Sequence, residues 1–172
     1  MKPAIGQAVP EFSLPAIDYR GTQTTVSPAS LRGKPFVLFV YPRDNTPGCT
    51  VEGCNFRDLW SEFGEIGVEI LGLSRDSIRS HQNFIKKSEL PYRLIADERR
   101  ELIGGWGLII NASMYGKDVT KTARTTYFVD AEGIVREIWE EVLPPGHAAK
   151  VLEFARESVA QKVEIPVENT VE

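Results

Sequence analysis

The chain is short of the residues that build metal centres. It has two cysteines and two histidines in 172 residues. No Cys-x-x-Cys occurs, and His81 and His147 stand far from both cysteines, so four tetrahedral zinc ligands are hard to assemble and no metal is expected. No apolar stretch is longer than a strand, which argues against a segment that crosses a bilayer. Met1-Lys2-Pro3-Ala4-Ile5-Gly6 lacks the apolar core of a secretory signal, so the cytoplasm is the expected location. Positive charge is not in excess: Lys and Arg number 20 against 24 Asp and Glu, for a net charge of −4. That balance gives no reason to expect nucleic acid or an anionic membrane as a partner. Repeats, low-complexity tracts and long linkers are also absent. The chain therefore reads as one globular domain over 1–162, with 163–172, acidic and aperiodic, as a loose tail. Gly104-Gly105-Trp106-Gly107 lacks the Gly-Lys-Ser/Thr ending of a phosphate loop and reads as a turn.

What is present has an α/β order. Phe36 to Tyr41 is a continuous apolar run between Gly33-Lys34-Pro35 and Pro42, the pattern of a central strand buried on both faces. A helix carrying the cysteines follows it. Val68 to Ser74 reads as a strand, Ser77 to Leu90 as a helix stopped by Pro91, and Tyr92 to Ala96 as a short strand. Thr125 to Asp130 and Ile134 to Glu140 flank a turn at Ala131-Glu132-Gly133 and suggest a hairpin. Ala148, Val151, Leu152, Ala155 and Val159 recur at helical spacing after the Pro144-Pro145-Gly146 break. Parallel central strands with helices between them fit a thioredoxin-like fold, a central mixed sheet flanked by helices. Glu11 to Leu14 and Gln23 to Val26 would add an N-terminal β-hairpin.

The two cysteines, Cys49 and Cys54, stand five apart just after Thr46-Pro47-Gly48. Thr before Pro is a helix start, because Thr can cap free amides and Pro fits the first helical position. Cys49 then falls in the first turn, where unsatisfied amides and the positive dipole end stabilise an anion, so its thiol should ionise more easily than a free one. On an intact α-helix, residues five apart have Cα atoms roughly 8.6 Å apart and face partly away from each other. A disulfide needs Cα atoms within about 7 Å, so the pair can close only if the helix locally unwinds. That favours a redox cycle over a structural staple.

These residues resemble a known family. Phe12-Ser13-Leu14, Tyr41-Pro42, Thr46-Pro47-Gly48-Cys49-Thr50, Glu52, Cys54, Phe56-Arg57-Asp58, Gly72-Leu73-Ser74, Met114-Tyr115-Gly116-Lys117 and Arg124-Thr125-Thr126 are similar to the peroxiredoxins, in particular the Q-type group also called bacterioferritin comigratory proteins. The resemblance implies a thiol peroxidase without a cofactor, acting on hydrogen peroxide and organic hydroperoxides. It implies Cys49 as the peroxidatic cysteine, Cys54 as the resolving one, Pro42 as a shielding proline, Thr46 as the hydroxyl that orients peroxide, and Arg124 as the cation supporting the thiolate. A thioredoxin or similar dithiol is the implied reductant, and a monomer the implied state, with a dimer as the alternative. Two departures stand out: Arg43-Asp44-Asn45 occupies a place where acidic residues are commoner, and Gly53 one where Ala is common. The competing readings are a thioredoxin-like protein disulfide oxidoreductase, whose usual Cys-x-x-Cys is missing, and a non-enzymatic redox sensor or chaperone.

Overall fold

The computed structural model describes the backbone over residues 1–171 and the side chains over 1–161, so the side chains of the tail expected over 163–172 lie outside the described residues. The first two strands, β1 (Leu14–Ile17) and β2 (Gln23–Val26), form a hairpin. A four-residue helix, α1 (Pro28–Leu31), follows, and then β3 (Phe36–Val40), the cysteine-bearing α2 (Pro47–Asp58), α3 (Trp60–Glu65) and β4 (Glu69–Ser74). After these come α4 (Ile78–Ser88), β5 (Arg93–Ala96), α5 (Glu101–Gly105), and the hairpin β6 (Ile109–Met114) and β7 (Lys117–Thr122). The chain finishes with β8 (Thr125–Val129), β9 (Val135–Trp139) and α6 (His147–Val171). Among the described residues seven strands make one sheet in the order β2-β1-β5-β4-β3-β8-β9, and β6 and β7 pair separately. β3, β4 and β5 run parallel, whereas β8 pairs antiparallel with β3, so the sheet is mixed as expected.

The pleat of β3 explains why it is central. All five residues are buried, and they alternate between two cores: Val37 and Phe39 face one side, Phe36, Leu38 and Val40 the other. The first core is closed by α2, α3, α4 and α6 through Phe56, Phe63, Phe84, Val151 and Leu152. The second is closed by α1, α5 and the N-terminal segment through Leu31, Leu102, Ile103 and Val9. Gly72 in β4 has no room for a side chain, since a Cβ there would stand 2.7 Å from Leu94 and 2.9 Å from the Phe39 ring.

Two expectations need correction. The first hairpin strand lies at Leu14–Ile17 and not at Glu11 to Leu14. Ala16 and Ile17 are buried and carry the pairing to β5, so burial outweighs the amide missing at Pro15. The β6–β7 hairpin was not anticipated. Its two turn residues, Tyr115 and Gly116, both have positive φ, the geometry of a tight hairpin turn.

Candidate active site

The site sits at the C-terminal end of β3. Tyr41 and Pro42 follow the strand, a loop runs over 43–46, and Pro47 opens α2 as its first residue. Thr46 is the N-cap by backbone: its carbonyl accepts from Thr50 N at 2.8 Å. The expected side-chain cap is absent. The Thr46 hydroxyl instead donates to the Arg43 carbonyl at 2.9 Å, so the loop rather than the helix holds it. Pro42 is half-buried and lies between the strand end and this loop.

Cys49 falls in the first turn of α2, as expected, and is 1% exposed. Arg124 reaches it from the residue before β8. Its Nη2 donates to Cys49 Sγ at 3.3 Å, and its Nη1 donates to Glu52 Oε1 at 2.7 Å. The guanidinium thus bridges the sulfur and a carboxyl one turn further along the same helix, a fork that lysine could not make. Gly48 makes room for it, because a Cβ there would stand 3.2 Å from Arg124 Nη2. Burial opposes the charge of Arg124, yet Glu52 and Cys49 beside it raise its pKa above the usual arginine value. Arg124 therefore remains a cation at any working pH.

Glu52 belonged to the motif, but its role was not legible in the sequence. It is 1% exposed, and its Oε2 makes no hydrogen bond. Burial pushes its pKa up to about 7, against the opposing pull of Arg124. The carboxyl therefore titrates near neutral pH, with Oε1 accepting from Arg124.

Cys54 lies on the same unbroken helix, partly buried, and both thiols are free. Three tethers hold the stretch around it. Tyr92 donates its hydroxyl to the Gly53 carbonyl at 2.6 Å, Asn55 Nδ2 donates to Pro144 O at 3.4 Å, and Arg57 Nη1 donates to Ser88 O at 2.7 Å. The structure thus brings Cys49 and Arg124 into contact, sets Thr46 one turn ahead of the sulfur, and leaves Cys54 five residues further along the same intact helix.

The chain matches the model of the AhpC/TSA family over residues 5–138. It is 41% identical over 141 residues to peroxiredoxin Bcp of Xanthomonas campestris, covering 82% of this chain and 87% of the relative. Among solved structures, a Xanthomonas campestris peroxiredoxin Q superposes with a TM-score of 0.76 at 39% identity, covering 85% of this chain and 91% of that one. A Xylella fastidiosa PrxQ variant gives a TM-score of 0.81 at 30% identity, covering 92% and 98%. With a thiol at a helix start under an arginine on a mixed sheet of this order, the chain belongs to the AhpC/TSA family and is a peroxiredoxin, a thiol-dependent peroxidase, of the Bcp or peroxiredoxin Q kind.

Proposed function

We propose that Cys49 supplies the attacking thiolate of this thiol peroxidase and that Cys54 resolves the product. The observation that carries the reading is the Arg124 guanidinium held between Cys49 Sγ and Glu52. The thiolate attacks one peroxide oxygen; the O–O bond breaks, the sulfur becomes a sulfenic acid, and the departing oxygen leaves with the electron pair and takes up a proton. Arg124 offers fixed N–H groups to the charge that builds on those oxygens, where water is largely excluded. The Thr46 hydroxyl, its own proton committed to Arg43 O, turns lone pairs toward an incoming peroxide O–H. Pro42 shields the sulfur side of the loop.

Attack by the Cys54 thiol on the sulfenic acid then forms the disulfide and releases water. A thioredoxin-type dithiol reopens it by exchange, becoming a disulfide itself. Thioredoxin itself, a monomeric state and a cytoplasmic location are the finer readings, supported by an intramolecular cysteine pair and by the thiol chemistry of a reducing compartment. Among the described residues no helix is long and apolar enough to cross a membrane. A relative's structure concerns alkyl peroxide reduction by the Xanthomonas campestris protein, so organic hydroperoxides join hydrogen peroxide as proposed substrates.

Serine variants test the roles. Cys49→Ser should abolish peroxide consumption with the fold intact. Cys54→Ser should consume one equivalent rapidly and then slow sharply, leaving sulfenic acid that excess peroxide oxidises further. Stopped-flow peroxide consumption with mass spectrometry of the thiols reads both, and dithiol-driven turnover by Cys49→Ser would refute the assignment.

A further inference from the structure

The departure at Arg43-Asp44-Asn45 conceals a buried polar cluster in which both Asp44 oxygens are hydrogen-bonded. Asp44 is buried although it lies in a loop. Its Oδ1 accepts from the Tyr41 hydroxyl at 2.6 Å, and its Oδ2 accepts from the Ser80 hydroxyl at 2.8 Å. His81 Nδ1 shares a proton with the same Oδ2 at 2.8 Å, with both side chains at most 1% exposed. His81 Nε2 faces the Ile95 carbonyl at 2.9 Å and so must donate to it. The Asp44 backbone amide donates to Asp76 Oδ2 at 2.8 Å, which also accepts from the Ser74 hydroxyl at 2.6 Å. One loop residue is thereby tied to the ends of β3, β4 and β5 and to the first turn of α4.

A loop needs no such clamp merely to connect a strand to a helix. Buried polar networks cost desolvation and are worth having only when every member is satisfied, and here each Asp44 oxygen is. Burial and the Asp44 carboxylate also raise the Tyr41 phenol well above its usual range, so it stays a donor. The next residue, Asn45, has φ 59°, a left-handed turn conformation that Asn tolerates better than most residues. Thr46 then hangs from the Arg43 carbonyl on the other side of the clamped residue. The network therefore fixes the two backbone segments that aim the Thr46 hydroxyl.

We propose that Asp44 and His81 are positioning residues for peroxide attack, holding the 43–46 loop so that Thr46 presents its acceptor face to the peroxide at Cys49. The inference rests on the reading of Thr46 as the group that orients peroxide. Neither residue touches the sulfur or takes part in the proton inventory of the reaction. What they supply is geometry, and a near-attack orientation lost by about 1 Å costs on the order of a hundredfold in rate.

The test compares two reactions of the same thiol in the reduced full-length protein. Attack on hydrogen peroxide needs the aimed hydroxyl, whereas alkylation of Cys49 by iodoacetamide does not. Asp44→Ala and His81→Gln should each slow peroxide attack at least tenfold while leaving alkylation within threefold of wild type. Asp44→Asn keeps the shape, since its amide can donate to a neutral His81 and to Ser80, and should recover most of the peroxide rate. Should Asp44→Ala or His81→Gln fail to fold, Tyr41→Phe and Ser80→Ala each delete one bond to Asp44 and should slow peroxide attack several-fold. Adding His81→Gln to Thr46→Val should cost little more than Thr46→Val alone, because both act through one hydroxyl. Peroxide and alkylation rates falling in proportion, or unchanged peroxide rates in folded Asp44 and His81 variants, would overturn the inference. If Thr46→Val itself leaves the peroxide rate unchanged, the reading of Thr46 fails instead.

Discussion

The Arg124 fork is shared between two acids, and that sharing should be visible in pH. Glu52 has its pKa raised by burial from 4.5 to about 7. The native state therefore holds a proton that the unfolded state releases across that interval, so this residue's contribution to stability is full below pH 4.5 and is lost as pH rises through 7. Glu52→Gln removes the dependence. By urea midpoints, the variant should gain on the wild type by roughly 3 kcal/mol between pH 4.5 and 8 if the whole shift is expressed. The same titration changes how many charges compete for Arg124, so the wild-type peroxide rate should show an inflection near pH 7 that the variant lacks. His147 has the opposite sign. Burial, with Lys150 and Arg124 nearby, lowers its pKa from 6.5 to about 4, and its Nε2 lies 2.7 Å from Thr126 Oγ1. Its contribution is present above pH 6.5 and is lost as pH falls through 4, because the unfolded chain takes the proton first. His147→Gln should flatten the acid side of the stability profile, as circular dichroism melts from pH 4 to 7 would show.

On the proposed pairing of Cys49 with Cys54, helix α2 is the element that must change shape. Because an intact helix keeps the cysteines too far apart, resolution waits for the tethers at Gly53, Asn55 and Arg57 to release some of their hold. The Tyr92 hydroxyl is the cleanest to remove. It is buried, and burial with Glu52 and Cys54 nearby raises its pKa well above the usual phenol value, so it is a permanent donor. A buried hydrogen bond is worth about 1 kcal/mol, and Tyr92→Phe should therefore raise the resolution rate several-fold while peroxide attack stays near wild type. Rapid mixing followed by tryptophan fluorescence can separate the two phases. Gly53→Ala is a mixed test, because the helix gains propensity while the new methyl lies 3.3 Å from Tyr92 Oη and 3.4 Å from the Phe84 ring. Elements with a strong local signal were legible: β3 by its apolar run, α2 by Thr46-Pro47, and α4 by Ser77, whose hydroxyl accepts from Ser80 N. The β6–β7 hairpin was less so, because its strands are mostly exposed and carry no buried alternation. Cys49 and Arg124 could be named from motif and resemblance. The roles of Glu52, Asp44 and His81 could not, because each depends on contacts between residues 36 or more apart or on burial that no local pattern encodes.

For the molecule as a whole, oxidation sets a cross-link against lost packing. Closing a loop of six residues stabilises by only about 2 kcal/mol through the unfolded chain. Opening α2 forfeits its tethers and loosens Phe56, which is fully buried and stacks on Phe39 with ring centroids 4.7 Å apart. Oxidised protein should accordingly melt lower than reduced protein, by several degrees in calorimetry, and a higher melting point would mean that the helix opens without disturbing the core. The pairing of β3 with β8 bears on the order of assembly. Cys49 and its guanidinium partner are 75 residues apart in sequence and meet only when Val40 stands opposite Thr125. A chain emerging from the ribosome has long exposed its first cysteine before the arginine is made, and until the sheet closes that sulfur lacks its guanidinium. On the role proposed for Arg124, reactivity toward oxidant arrives late in folding, and an unfinished chain is spared much of the chemistry its completed form exists to perform.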